Sequence, residues 1–210
     1  MSFSSLNLDA RLLSGLTAAG YETATPIQMS AIPALLAGKD VMAGAQTGTG
    51  KTAAFALPIL HRLLAIREDN PLASDEVQPL RALVLTPTRE LAQQVYKSFV
   101  KYGADSGLSS AIAYGGVSIN PQVSALEDGV DVLVATPGRL LDLMQKQAVS
   151  LSQLQFLVFD EADRMLDMGF IIDIQRILKR VPSDRQTMLF SATFNDEIFT
   201  LSKNILKDPE

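Results

Sequence analysis

The sequence predicts an α/β domain: a mostly parallel β-sheet with helices on both faces. Short apolar, β-branched runs such as Ala82-Leu83-Val84-Leu85 and Phe156-Leu157-Val158-Phe159 recur without polar alternation, the pattern of strands buried on both faces. Helical patterns separate these runs, so successive strands need crossovers and run parallel, with right-handed connections. The chemically distinctive segments, 45–52, 86–91, 136–139, 160–163 and 191–193, each fall just after a predicted strand. In open parallel sheets ligands gather beyond the carboxyl ends of the strands, so these segments are expected to build one site.

Taken in chain order, residues 1–38 precede the sheet and read as flanking helices, with Asp9 as a cap and Pro26 in a first helical turn. The predicted strands are 40–45, 81–86, 110–114, 131–135, 156–160 and 186–191. Helices are predicted near 52–65, 89–102, 120–127, 138–146, 168–180 and 195–206. Residues 66–80, rich in charge and carrying two prolines, read as a solvated loop.

Composition excludes several classes. At 47% hydrophobic and 20% charged over 210 residues, the chain can bury a full core. No apolar run approaches the roughly 18 residues of a membrane span, and Met1-Ser2-Phe3-Ser4-Ser5 lacks the features of a signal peptide. The compartment expected by default is the cytoplasm, with no membrane partner. Without cysteine, disulfides and thiolate metal sites are excluded, and His61 as the one histidine argues against a Ser-His-Asp triad or a multi-histidine metal site. The net charge of −5 argues against a broad basic surface. Any nucleic-acid contact is expected to be local.

Ala45-Gln46-Thr47-Gly48-Thr49-Gly50-Lys51-Thr52 lies between a predicted strand and an apolar helix, the context a phosphate-binding loop requires. Gly48 and Gly50 can take positive φ and turn backbone N–H groups toward phosphate oxygens, and the helix N-terminus adds partial positive charge. Lys51 is placed to bridge β- and γ-phosphates, and the Thr52 hydroxyl to bind Mg²⁺. Ala45 stands where the general pattern has glycine, and an ordinary Gly-rich turn is the plainer alternative. Asp160-Glu161-Ala162-Asp163 directly follows a buried strand, where an acidic residue is costly unless it meets a cation or donors. Asp160 is expected to hold Mg²⁺, partly through water, and Glu161 to orient or deprotonate an attacking water. A negatively charged helix start is the alternative for this segment taken alone.

Asp160 to Asp163 spells DEAD, and together with the phosphate loop the chain resembles the N-terminal RecA-like domain of DEAD-box RNA helicases, from Phe3 to about residue 207. Gly20-Tyr21-Glu22-Thr23-Ala24-Thr25-Pro26-Ile27-Gln28 resembles the family's adenine-recognition Q motif. The resemblance implies that Gln28 reads adenine through its amide, that Tyr21 stacks on the ring, and that Thr25 and the upstream Phe3 belong to the same nucleotide site. Ala24 departs from the family's proline. Pro87-Thr88-Arg89, Gly115-Gly116 and Thr136-Pro137-Gly138-Arg139 resemble the segments that line the RNA path, mainly through the backbone. Helix capping by Thr88 and Thr136 is the alternative from the residues alone. Ser191-Ala192-Thr193 resembles the motif that couples hydrolysis to strand separation, with both hydroxyls within reach of Asp163. Met168-Gly169-Phe170 matches a segment common in the family, expected to serve packing or the shape of the RNA path.

The resemblance further implies ATP/ADP and Mg²⁺ as ligands and a division into 1–38 (flanking helices with the Q motif), 39–207 (RecA-like domain 1) and 208–210 (the start of an interdomain linker). The family's motor has a second RecA-like domain carrying a His-Arg-x-Gly-Arg-x-x-Arg run. That run is absent here, so the chain is expected to be a fragment: able to bind nucleotide, nearly inactive alone, and partnered by RNA and the missing C-terminal domain. The readings that compete with this are a non-catalytic ATP-dependent RNA clamp and an unrelated phosphate-loop ATPase.

Overall fold

The computed structural model describes residues 1–210 and contains one six-stranded sheet in the order β1-β6-β5-β2-β4-β3. The strands are β1 (Val41–Gly44), β2 (Ala82–Leu85), β3 (Ser110–Ala113), β4 (Val132–Ala135), β5 (Phe156–Phe159) and β6 (Gln186–Ser191). Every neighbouring pair is parallel, so the sheet is wholly parallel rather than mostly so.

The period-2 geometry of a strand sends alternate side chains to opposite faces, and here both faces are apolar. Val84, Val134, Val158 and Phe190 join a core with helices α1 (Ala10–Ala18), α2 (Pro26–Leu36), α3 (Lys51–Asp69) and α4 (Arg89–Tyr102). Leu85, Leu133, Phe159 and Leu189 face the second core. That layer is built by α5 (Asn120–Glu127), α6 (Pro137–Gln145), α7 (Ala162–Asp167), α8 (Ile171–Leu178) and α9 (Asp196–Ile205). No helix is long and apolar enough to cross a membrane.

Local chemistry sets the helix starts. Thr88 Oγ1 accepts from Leu91 N (3.2 Å), and Asn195 Oδ1 from Ile198 N (2.9 Å), capping α4 and α9. Asp9 Oδ1 accepts from Arg11 N (2.9 Å), which caps α1 as expected. Thr136 precedes α6 without a side-chain cap.

The structure corrects two helix predictions. α3 continues to Asp69, so the first residues of the predicted loop at 66–80 are helical; Ile66 packs on the core while Glu68 reaches out to Arg11 at 2.7 Å. A charged solvent face had disguised the last helical turn. The helix predicted over 168–180 is α8 alone, starting only after Gly169 at φ +84°, and a further helix not expected from the sequence, α7, precedes it. The residues expected to begin a linker, 208–210, run beside the outer edge of β1. Glu210 N donates to Asp40 O (3.0 Å) and Met42 N to Glu210 O (2.9 Å), while Lys207 N donates to the buried Asp40 carboxylate (2.7 Å).

Candidate active site

All the distinctive segments lie at the carboxyl ends of the strands. Ala45 N donates to Ser191 O (3.0 Å), pinning the loop to the end of β6. The loop then turns through Gly48 (φ +85°) and Gly50 (φ +80°) into α3, and Thr49 Oγ1 donates to Gln46 O (2.7 Å). No side chain caps α3, and the N–H groups of Lys51, Thr52 and Ala53 find no protein acceptor. Unpaired donors at a helix N-terminus, at its positive end, favour an anion.

Gly50 is required twice over. Its φ is left-handed, and a Cβ there would run into Gln28 Nε2 and meet Thr25 Oγ1 at 3.0 Å. Gly50→Ala is therefore expected to cost about 1–2 kcal/mol for the backbone alone and more for the collision. A urea-unfolding midpoint equal to that of the unmodified chain contradicts this.

Behind the loop, Lys51 is buried with its ammonium 3.0 Å from Asp160 Oδ1 and 3.4 Å from Glu161 Oε1. Asp160 ends β5 wholly buried, and neither carboxylate oxygen has an aligned hydrogen-bond donor. Burial pushes its pKa above the ordinary range; Lys51 opposes the shift, and Glu161 adds to it through its charge while opposing it through its backbone N–H. Glu161 sits in the left-handed region at φ +52°, a strained conformation for a residue with a side chain. One of its oxygens, Oε2, also lacks a hydrogen-bond partner and lies 3.6 Å from Arg164 Nη1. Undonated carboxylate oxygens beside a hydroxyl-bearing helix start suit a hard cation, and Mg²⁺ characteristically takes one or two carboxylates, with water and phosphates completing its shell. Asp160 and Thr52 fit that role.

Gln28 is placed differently from a free reader of bases. It is buried, its Oε1 accepting from Thr25 N (2.9 Å) and its Nε2 donating to Gly50 O (3.0 Å). One lone pair and one N–H of the amide remain uncommitted. Tyr21 stands edge-on to Tyr102 (5.9 Å between centroids), with the Lys101 ammonium 5.6 Å from its ring. It therefore packs at the far end of α4, while Gln28 touches the loop. Phe3 is 3% exposed and belongs to the core, supporting the segment from beneath rather than offering a free ring face.

The segments around Pro87-Thr88-Arg89, Gly115-Gly116 and Thr136-Pro137-Gly138-Arg139 are joined by a network that motif reading missed. The Arg89 guanidinium lies 4.8 Å from the Tyr114 ring centroid, and Gln93 Nε2 donates to the Tyr114 hydroxyl (3.3 Å). Gln122 Nε2 donates to Tyr114 O (3.1 Å) and Gln122 Oε1 accepts from Arg139 Nη1 (3.0 Å), while Arg139 Nη2 donates to Val117 O (3.0 Å). Arg139, expected to face phosphate, is thus largely spent as a brace for the Gly115-Gly116 turn. Tyr114, Gln93 and Gln122 are polar or aromatic residues on helical and strand patterns, with no signal of their own. A Cβ at Gly115, Gly116 or Gly138 would meet nothing, so each leaves open backbone.

Of the two hydroxyls expected near Asp163, one makes the contact: Thr193 Oγ1 donates to Asp163 Oδ2 (3.0 Å). Ser191 Oγ instead donates to Thr193 O (2.6 Å) and shapes the turn.

The model of the DEAD/DEAH box helicase family matches residues 25–201. The whole chain aligns at 46% identity with the DEAD-box ATP-dependent RNA helicase CshA of Streptococcus pneumoniae, covering 38% of that protein. It aligns at 48% identity with the ATP-dependent RNA helicase RhlB of Xanthomonas axonopodis pv. citri, covering 37% of that protein. The chain therefore spans well under half the length of these relatives.

Proposed function

The chain belongs to the DEAD/DEAH box helicase family, and from that membership we propose that it is the ATP-binding, N-terminal RecA-like half of an RNA-remodelling motor. The observation that carries this reading is Lys51, buried between Asp160 and Glu161 behind a loop of unpaired N–H groups. In this reading the loop from Gln46 to Thr52 cradles the triphosphate. Lys51 leaves its carboxylates for the β- and γ-phosphate oxygens, and Asp160 and Thr52 hold Mg²⁺, which neutralises phosphate charge. Glu161 accepts the proton of a water whose oxygen attacks the γ-phosphorus as the bond to the β–γ bridging oxygen breaks. Gln28 offers its remaining donor and acceptor to adenine, and Tyr21, Thr25 and Phe3 shape or support that end of the site.

RNA lies along Pro87-Thr88-Arg89, Gly115-Gly116 and Thr136 to Gly138 through backbone and hydroxyl contacts, with Arg139 positioning the turn. The Thr193–Asp163 bond links the ends of β6 and β5 and couples hydrolysis to RNA movement. Residues 1–38, 39–207 and 208–210 act as adenine-recognition flank, ATP-binding domain and connection to a second RecA-like domain. Without an arginine finger from that second domain, turnover is lower by roughly 10³–10⁵.

Calorimetric titration of residues 1–210 with ATP and GTP in Mg²⁺ tests the reading. ATP is expected to bind at least roughly tenfold more tightly, and Gln28→Ala to remove most of that preference. Equal affinities in the unmodified chain refute adenine readout. Robust RNA-stimulated turnover by residues 1–210 alone refutes the half-motor.

A further inference from the structure

At the opposite end of the sheet, the amino ends of β2, β5 and β6 open onto a cavity of about 600 Å³ lined by Arg62, Arg81 and Arg185, with Asp184 its one carboxylate. Such a volume lies in the range of small-ligand sites. None of the three arginines forms a salt bridge. In a chain of net charge −5, this is a local excess of positive charge, three arginines against one lining carboxylate.

Two of the three are held in place. Arg62 lies over the Phe156 ring (5.1 Å to the centroid) and donates to Gln186 Oε1. Gln186 is fixed in turn by donating to Leu35 O (2.9 Å) and Lys39 O (2.6 Å). Arg185 donates through Nε to Thr187 Oγ1 (3.1 Å) and through Nη1 to Pro182 O (3.0 Å), with a longer contact from Nη2 to Ile205 O (3.4 Å). Burial lowers the pKa of both guanidinium groups, opposed at Arg185 by the Asp40 charge, so each cation is partly stripped of water and neither is held in a salt bridge. The Arg81 side chain makes no hydrogen bond, while its carbonyl accepts from Gln155 N (2.8 Å) and Phe156 N (2.9 Å) at the cavity wall.

We propose that this cavity is a second anion site, taking the phosphate oxygens of a polyphosphate. A guanidinium offers a planar fork that matches a phosphate bidentately. Arg62 keeps its Nε–Nη2 edge uncommitted and Arg81 its whole fork, while Arg185, each of whose nitrogens already donates to the protein, adds charge; around one concavity they suit several phosphoryl groups better than a single carboxylate. β5 runs from this wall to Asp160, so at about 3.3 Å per residue the site lies at least ~13 Å from the Lys51 carboxylates. It is separate from the phosphate loop and does not depend on what that loop binds. The polyphosphate is either a free ion or the 5′-triphosphate end of an RNA.

Nitrogen-15 NMR of residues 1–210 titrated with inorganic tripolyphosphate tests the proposal. Saturable shifts are expected at the Arg62 and Arg81 side-chain Nε–H groups and at the Gln155 and Phe156 amides. Arg81→Ala is expected to weaken binding at this end by roughly tenfold, the loss of one charge-assisted contact, with resonances 46–52 responding as before. Arg81→Lys, which keeps the charge and loses the fork, is expected to fall between. Shifts confined to 46–52, no shifts, or an Arg81→Ala variant that binds unchanged each overturn the site. A 5′-triphosphate RNA that displaces tripolyphosphate when its 5′-hydroxyl counterpart does not identifies an RNA end as the source. If neither RNA displaces it, the ligand is the free ion.

Discussion

Replacing Lys51 with alanine is expected to destabilise the nucleotide-free chain by about 3–5 kcal/mol, the cost of leaving one member of a buried ion pair without its partner. Asp160 is wholly buried, and its oxygens have no aligned donor to take over from the ammonium 3.0 Å away. Part of the loss should be recoverable with acid. A buried carboxylate has a folded-state pKa raised above its unfolded value of about 3.9. Its native form therefore holds a proton that the unfolded chain releases. Stability from that proton is complete below the unfolded value and is lost as pH rises toward the folded one. Lys51 opposes the shift in the unmodified chain, so its removal widens the window. Urea unfolding is thus expected to show a smaller gap between Lys51→Ala and the unmodified chain at about pH 5 than at pH 8. Adding Asp160→Asn to Lys51→Ala should recover stability and flatten the pH dependence. A gap independent of pH, with no recovery in the double variant, refutes the unpaired-carboxylate account.

Glu161→Gln in the full-length protein is expected to lower ATP turnover by about 10²–10⁴, the usual contribution of a general base, while leaving ATP affinity within a few-fold. Glutamine keeps the side chain's shape, including the φ +52° backbone that aims it, but takes no proton at neutral pH. Its loss also removes one of the two carboxylates holding Lys51, which favours the ammonium's move to phosphate. Single-turnover hydrolysis and nucleotide titration on the same preparation separate these effects. An unchanged turnover rate would leave the clamp as the surviving reading.

The two substitutions bear on different links between sequence and function. The phosphate loop and the DEAD segment were legible because their residue types have few other uses at those spacings. The meeting of Lys51 with Asp160 and Glu161, some 110 residues apart in the chain, depends on β1 and β5 ending at the same edge of one sheet. The brace through Tyr114, Gln122 and Arg139 was invisible for a related reason. Gln122 is an ordinary helical glutamine until the turn at Gly115-Gly116 is folded against it. Likewise, nothing in the spelling of Gln28 shows that half of its amide is committed to Thr25 and Gly50.

The sequence by itself determined the strands, most of the helices and the chemistry they carry. Doubly covered strands must be apolar on both faces, so β2, β4 and β5 announced themselves, and the start of α4 follows from its Thr88 cap. What it left undecided was which strand lies beside which. Apolar strands of four residues are nearly interchangeable as neighbours, since parallel pairing is made through backbone groups they all share. Only the packed structure placed β6 between β1 and β5. That order brings the end of the phosphate loop strand, the Thr193–Asp163 contact and the DEAD carboxylates to one edge, and gathers Arg62, Arg81 and Arg185 at the other.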